Sequence, residues 1–175
     1  MTESTGKHLR DQLLLNNNKV VLRAKFETST KSNTDKVMYT LHYGSILNLS
    51  SQLITDLYEN QHALMDSTLF IPRILTYKCL NCSKEVIQRQ CISSGRYCLI
   101  GHNEERVRPL DLFMESLREK CIYLQKTNSY RDDEHIFFTY LYHMRKDCYE
   151  NKNTIKRKCA EDVMRSLDID IDKVQ

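Results

Sequence analysis

Apolar residues at every second position over 36–44, namely Val37, Tyr39, Leu41 and Tyr43, predict a β-strand, because alternate side chains of a strand share one face. Residues 19–27 are rich in apolar and β-branched side chains and predict an earlier strand. The apolar segment 70–78 predicts a later one. Residues 1–18 predict an N-terminal tail or a short helix, and the polar run 28–35 predicts a loop.

The apolar spacing changes to about every third or fourth residue over 45–66, which predicts a helix with Ser45 as its N-cap. The same spacing returns after Pro109, a residue that suits the first turn of a helix. An aspartate of the pair 132–133 and Thr154 are the predicted caps of two further helices. The C-terminal part is therefore predicted to be helical.

The order of these elements predicts an α/β fold, in which helices cover a small sheet. Pro72 has no backbone N–H to donate, so it belongs on the edge of the sheet or at the start of a strand. The sequence around Ile71 and Pro72 resembles the segment of thioredoxin-like folds in which a cis-proline opens a strand, and Pro72 is a candidate cis-proline. We expect a thioredoxin-like small sheet with a disulfide-rich loop and a helical C-terminal part.

The chain of 175 residues has the length of a single domain. We expect this domain to cover 19–175, with a strand–strand–helix–strand half at 19–78, a cysteine-rich loop at 79–108 and three helices at 109–175.

Charge and hydropathy argue against nucleic-acid binding, a membrane span and a signal peptide. The net charge of +3 is spread along the chain, which argues against a nucleic-acid partner. No run stays apolar over the ~18 residues that a membrane span needs. The first ten residues lack the apolar core of a signal peptide.

Four of the seven cysteines lie between Cys79 and Cys98. We interpret them first as disulfides formed in an oxidising compartment. One alternative is a zinc-stabilised intracellular interaction module, although Cys91 and Cys98 are spaced more widely than usual zinc ligands. The other is a thiol–disulfide oxidoreductase that uses Cys79 and Cys82, which have redox spacing.

The pairing of the cysteines stays open in the sequence. Cys91 and Cys98 flank a turn-forming Ser-Ser-Gly sequence that brings them within reach of each other. Cys121 and Cys148 lie on or beside apolar helix faces, so a bridge between helices is feasible. An odd number of cysteines is natural for a domain cut just before its last one. All seven are disulfide candidates: Cys79, Cys82, Cys91, Cys98, Cys121, Cys148 and Cys159.

The position of the cysteines argues against catalysis. In redox-active thioredoxins the cysteine pair lies where a strand meets a helix, and the helix N-terminus lowers the thiol pKa. That junction here, residues 43–48, contains no cysteine. We assign no catalytic residue and expect no metal or cofactor. Two Asn-x-Ser sequences make Asn48 and Asn81 candidate N-glycosylation sites.

Three cysteine-containing blocks resemble the vacuolar sorting receptors. The first is Gln-Cys-x-x-x-Gly-Arg-Tyr-Cys, which ends at Cys98, and the second is Leu-Arg-x-x-Cys, which ends at Cys121. The third begins at Cys159 and has the pattern Cys-Ala-Glu-x-Val-x-x-x-Leu-x-Ile-Asp. The similar region covers about residues 70–175 and corresponds to the central luminal part of that family, including its ciliate relatives.

The resemblance implies a membrane receptor that carries soluble hydrolases from the Golgi towards a vacuole or lysosome. It implies that the central luminal part is thioredoxin-like, non-enzymatic and in contact with protein ligands. A further cysteine that follows this region in the family would pair with Cys159, so we expect the chain to be a fragment of a longer, glycosylated receptor. The expected location is the lumen of the secretory and endomembrane system.

Overall fold

The computed structural model describes residues 15–16, 19–20, 25–29, 37–99, 107–127 and 135–174. The strands are β1 (Leu15–Asn16), β2 (Lys19–Val20), β3 (Lys25–Ser29), β4 (Val37–Tyr43), β5 (Thr68–Ile74), β6 (Thr76–Tyr77), β7 (Cys91–Ile92) and β8 (Tyr97–Leu99). The α-helices are α1 (Ser51–Glu59), α2 (Gln61–Ser67), α3 (Lys84–Gln90), α4 (Pro109–Thr127), α5 (Ile136–His143) and α6 (Arg157–Ser166).

The central sheet has the strand order β3-β4-β5. β4 pairs antiparallel with β3 and parallel with β5, with Val37 opposite Thr68 and Tyr43 opposite Ile74. Leu41 and Tyr43 are buried, as the alternation of apolar residues in this strand predicts. α1 and α2 connect the two parallel strands, so the predicted strand–helix–strand order and the α/β fold class are confirmed.

The predictions for the N-terminal residues are tested only in part. The segment predicted as one strand at 19–27 contributes to β2 and β3, and the predicted tail contributes β1. The predicted loop at 28–35 begins too early, because β3 continues to Ser29. The remaining residues of these segments lie outside the described residues.

Pro72 lies on an edge strand, as its missing N–H requires, because β5 is the last strand of the central sheet. The expectation of a cis-proline is wrong: the peptide bonds of the described residues are all trans. Pro72 lies in the middle of β5, opposite Leu41, rather than at the start of a strand. The extended backbone of a paired strand is compatible with a trans bond, which is also the favoured isomer.

The helix predicted at 45–66 is divided into three parts. A 3₁₀ helix covers Ile46–Asn48, and Asn48 Oδ1 accepts a hydrogen bond of 2.7 Å from the Ser45 N–H. α1 begins afterwards and is capped by Ser50, whose Oγ accepts from the Leu53 N–H. The predicted cap Ser45 therefore belongs to the 3₁₀ turn.

The cysteine-rich segment is more regular than the predicted loop. Ser83 caps α3 by accepting a hydrogen bond from the Val86 N–H, and β6, β8 and β7 form a second small sheet in that order. The predicted strand at 70–78 is therefore two strands in two sheets. Gly95 has φ of +88° in the turn between β7 and β8, a backbone conformation that glycine adopts without strain.

Three helices follow, as predicted. α4 begins at Pro109, and α5 continues into a π-helix over Met144–Glu150. α6 begins at Arg157 and not at the predicted cap Thr154, whose Oγ1 accepts from the Lys156 N–H in the preceding turn. The aspartates proposed as the cap of α5 lie outside the described residues. No helix in the described ranges is long and apolar enough to cross a membrane.

The hydrophobic core lies between the central sheet and the C-terminal helices. Phe70 of β5 contacts Phe137 and Phe138 of α5, with ring centroids 5.6 Å and 4.7 Å apart. Further fully buried side chains come from α4 and α5 and from the turn before α1: Ile46, Leu49, Leu112, Ile122, Tyr140 and Leu141. This packing holds α4 against β5.

Candidate functional site

Six of the seven cysteines form disulfides in the structure. The pairs are Cys79–Cys82, Cys91–Cys98 and Cys148–Cys159. The pair around the Ser-Ser-Gly turn is the one that the sequence brought within reach, and it joins β7 to β8. The third pair joins the π-helix to α6.

Two expectations about the cysteines are wrong. Cys121 and Cys148 do not form a bridge: Cys121 is a free, partly exposed thiol on α4. Cys159 does not lack a partner, because the turn after the π-helix brings it to Cys148 with the Cα atoms 5.9 Å apart. Cys159 therefore does not need the further cysteine that was expected to follow this region and pair with it.

The zinc alternative does not fit this arrangement. A zinc site built from Cys79, Cys82, Cys91 and Cys98 would need their four thiolates, whereas all four sulfur atoms are paired in two disulfides. Within the described ranges, no group of three or more His, Cys, Asp or Glu side chains is placed to hold a metal ion.

An apolar cleft of about 590 Å³ lies between the edge of β5, the β7–β8 hairpin and α4. We call it the β5–α4 cleft. Four consecutive residues of β5, from Ile71 to Ile74, contribute to its wall, which places the cleft along the edge of the strand. Its remaining walls are formed by Thr76, Ile92, Tyr97, Phe113, Ser116, Leu117 and Lys120.

Two basic side chains line this mainly apolar cleft. Lys120 of α4 donates a hydrogen bond of 3.2 Å to the Pro72 carbonyl and lies 4.7 Å from the centre of the Tyr123 ring. Burial lowers the pKa of Lys120, and the nearby positive charge of Arg73 lowers it further. Among the residues that the structure describes, no carboxylate pairs with either Lys120 or Arg73.

The outer edge of β5 is occupied by side chains of α4. Tyr123 donates from its hydroxyl to the Phe70 carbonyl at 2.6 Å, and Lys120 donates to the next outward carbonyl, that of Pro72. Pro72 itself offers no N–H. An added strand would need these groups, so the edge is blocked against β-strand addition. A ligand of the cleft is therefore held by side chains.

Behind the cleft, α4 buries two carboxyl groups. Tyr43 of β4 donates to Glu119 Oε2 at 2.7 Å, and Tyr140 of α5 donates to Glu115 Oε1 at 2.7 Å. Arg118 forms an ion pair with Glu115. Glu119 Oε1 is buried and has no hydrogen-bond partner among the described residues. These bonds join β4, α4 and α5.

Burial dominates the electrostatics of this cluster. Burial raises the pKa of Glu119 well above its usual value, and the negative charge of Glu115 raises it further. Burial also raises the pKa of Glu115, although Arg118 and Tyr140 oppose that shift. The hydroxyls of Tyr43 and Tyr140 have raised pKa values because they are buried near these carboxyls. The cluster thus favours a protonated carboxyl.

The two candidate glycosylation sites differ in exposure. Asn81 is exposed between the cysteines of the first disulfide, whereas Asn48 is half-buried and holds the Ser45 N–H. Glycosylation at both positions stays a prediction.

Sequence reasoning did not find the β5–α4 cleft or the buried carboxyls. Glu115 and Glu119 lie four residues apart on the buried side of α4, a spacing that signals a shared helix face. Arg73 and Lys120 carry no such signal, because they are far apart in the sequence and meet only through packing.

The comparisons with known proteins agree with this architecture. The family model of the vacuolar sorting receptor thioredoxin-like domain matches residues 42–175. This match confirms the predicted family relationship and the thioredoxin-like fold class. It begins within β4 and includes all three disulfides and the β5–α4 cleft.

Curated proteins from Arabidopsis thaliana are also similar. Vacuolar-sorting receptor 5 is 27% identical over 114 residues, in a match that covers 62% of this chain and 18% of that protein. Vacuolar-sorting receptor 7 is 30% identical over 115 residues, with 62% of this chain and 18% of that protein covered. The chain thus spans less than a fifth of the length of the relatives it matches.

Proposed function

The chain belongs to the vacuolar sorting receptor family, and from this premise we propose that it is a non-enzymatic luminal binding region that contributes to the recognition of soluble cargo proteins for vacuolar or lysosomal transport. The relatives are named as receptors for sorting to the vacuole. Three disulfides fit the oxidising lumen of the secretory pathway. The exposed Asn81 is a candidate glycan attachment site there.

The β5–α4 cleft is the observation that carries this proposal. Its volume of about 590 Å³ lies within the usual range of ligand sites, and its walls are mainly apolar with two basic groups. Its walls come from a strand, a disulfide-bonded hairpin and a helix packed on the core, so the site is largely preformed. Such a site binds a protein segment without performing chemistry on it.

The test is to block the cleft in the full protein. In cells of the source organism, disruption of the gene is expected to raise the secretion of soluble vacuolar or lysosomal hydrolases into the medium. Re-expression of the full gene should restore retention, whereas Leu117→Arg should not, because it places a long cation inside the cleft. Hydrolase activity in medium and cells is the measurement.

Met114→Arg is the matched control for this variant. Met114 is 49% exposed and Leu117 37% exposed on the same helix, but only Leu117 lines the cleft. The control should restore retention fully. Unchanged secretion after gene disruption, or full rescue by Leu117→Arg, contradicts the proposed function.

Thiol–disulfide exchange at Cys79 and Cys82 is the second candidate function. Its support is that both cysteines are partly exposed and precede α3. Against it, this pair lies far along the chain from the strand–helix junction after β4 where redox thioredoxins carry their cysteines. Reduction of insulin by the wild-type protein but not by Cys79→Ser would establish this activity.

A further inference from the structure

The two basic groups of the β5–α4 cleft have no anionic partner among the residues that the structure describes. Lys120 and Arg73 come from different walls, α4 and β5, and the positive charge of Arg73 adds to burial in lowering the pKa of Lys120. In the described part of the chain, neither forms an ion pair. One carboxylate placed between them would relieve the repulsion and gain charge-assisted hydrogen bonds.

The donors needed for such a carboxylate are present. The Lys120 ammonium has three N–H donors and gives one to the Pro72 carbonyl, and the guanidinium of Arg73 has five. Arg73 is exposed, whereas Lys120 is half-buried against Tyr123. An anion therefore reaches Arg73 from the solvent side and Lys120 from within the cleft.

The apolar walls lie at positions next to these cations. Arg73 stands between Pro72 and Ile74 along β5, and Lys120 follows Leu117 by one helical turn. A ligand that places an apolar side chain and a carboxylate two residues apart matches this arrangement, because alternate side chains of an extended chain share one face and lie about 7 Å apart along it. Backbone pairing cannot hold the ligand, since side chains of α4 occupy the β5 carbonyls.

Building on the proposed function, we propose that the β5–α4 cleft binds an extended internal segment of a protein partner in which an Asp or Glu lies two residues from a bulky apolar residue. The apolar side chain enters the cleft against Ile74, Phe113 and Leu117, and the carboxylate lies between Arg73 and Lys120. The carboxylate belongs to a side chain and not to a chain terminus, because the cleft follows a strand edge along which the partner's chain can continue.

The test uses three libraries of short peptides, all N-acetylated, with Leu, Ile, Val, Phe or Ala around a central position. The first has Glu at the centre and an amidated C-terminus, the second replaces Glu by Gln, and the third combines Gln with a free C-terminal carboxylate. Binding to the 175-residue protein is measured by affinity selection and calorimetry of selected members. The Glu library should bind about tenfold or more tightly than the Gln library.

Variants of Arg73 and Lys120 test where the carboxylate of the bound peptide lies. Arg73→Gln and Lys120→Gln should each remove most of the Glu-over-Gln preference, and Lys120→Arg should restore part of it because it keeps the charge. Lys156→Gln is the matched control, since it removes an exposed cation beside α6 and should leave the preference intact. Unchanged thermal unfolding shows that each variant is folded.

Three results overturn this inference. They are equal binding of the Glu and Gln libraries, a preference for the free C-terminal carboxylate, and absence of selection from all three libraries. Each leaves the proposed function standing as long as Leu117→Arg still abolishes hydrolase retention. If Leu117→Arg has no effect on retention while the Glu preference is present, the proposed function fails and the cleft binds another partner.

Discussion

The cysteine-rich segment 76–99 and the helical segment 107–174 are stabilised in different ways. The buried side chains of 76–99 are those of Cys91, Cys98 and Leu99, and two disulfides lie within this segment. The helical segment buries large aromatic and aliphatic side chains in the main core and has one disulfide, between the π-helix and α6, whose two cysteines are also buried in that core.

The difference shows what covalent links do in a small fold. A segment that buries little apolar surface cannot offset the conformational entropy lost on folding, so cross-links that restrict the unfolded chain contribute most of its order. The helical part obtains its stability from packing. The β5–α4 cleft uses both, because one wall is the cross-linked hairpin and another is the packed helix α4.

The largest expected effect comes from breaking the packed side of this comparison. Phe138 is fully buried against Phe70, so Phe138→Ala should lower the free energy of unfolding by about 3–5 kcal/mol. The matched control is Leu80→Ala in the cysteine-rich segment, where Leu80 is 75% exposed and should change stability by about 0.5 kcal/mol or less. Urea unfolding followed by circular dichroism measures both, and equal effects would contradict the comparison.

The second effect concerns the covalent link of the helical part. Replacing Cys148 and Cys159 together by Ala removes the cross-link that restricts the unfolded chain. The free energy of unfolding should therefore decrease by about 3 kcal/mol. Alanine avoids burying a hydroxyl at these two buried positions. Differential scanning calorimetry should show one transition at a lower temperature. A variant that unfolds at the wild-type temperature would show that packing alone holds α6.

The third effect sharpens the comparison through pH. Because burial raises the folded-state pKa of Glu119, the folded protein retains a proton that the unfolded chain loses above about pH 4.3. The contribution of Glu119 to the free energy of unfolding is fully present below that pH and is lost as pH rises through the folded-state pKa. Glu119→Gln stays neutral, so it should stabilise the protein at neutral pH by about 1–3 kcal/mol and have little effect below about pH 4.

The control for this prediction is Glu161→Gln. Arg157 donates to Glu161 at 2.6 Å and lowers the pKa of that carboxyl, so its contribution is present above the unfolded-state pKa and is lost on acidification. Its substitution should therefore have the opposite sign. Chemical unfolding at a series of pH values measures both variants, and parallel curves for wild type and Glu119→Gln would refute the buried-proton account.

The smallest effect on overall stability is expected from the cross-linked hairpin. Replacing Cys91 and Cys98 together by Ala should lower global stability by about 1 kcal/mol or less, because few other groups of the segment join the core and the hairpin can open locally while the core stays folded. Locally, amide exchange in β7 and β8 should accelerate strongly. Hydrogen exchange with mass spectrometry measures this, and unaltered protection of the hairpin would remove the distinction between the two segments.

Much of the fold follows from short-range patterns. The alternation in β4, the helical spacing from Pro109 onward and the edge position of Pro72 depend on neighbouring residues and are present in the structure. The same holds for the Cys91–Cys98 pair, because a short turn forces its ends together. Where the sequence misled, as with the cap of α6 or the continuous helix after β4, local turns competed with equally suitable caps.

The sequence by itself determined an α/β thioredoxin-like fold, the family relationship and the use of cysteines for disulfides. Only the tertiary structure decided that Cys148 pairs with Cys159, that Arg73 and Lys120 line one cleft, and that Glu115 and Glu119 are buried. The physical reason is the separation along the sequence of the residues that make each contact. Periodicity and turns reflect contacts between neighbours, whereas a cleft, a buried carboxyl or a cation pair arises where distant segments pack against one another.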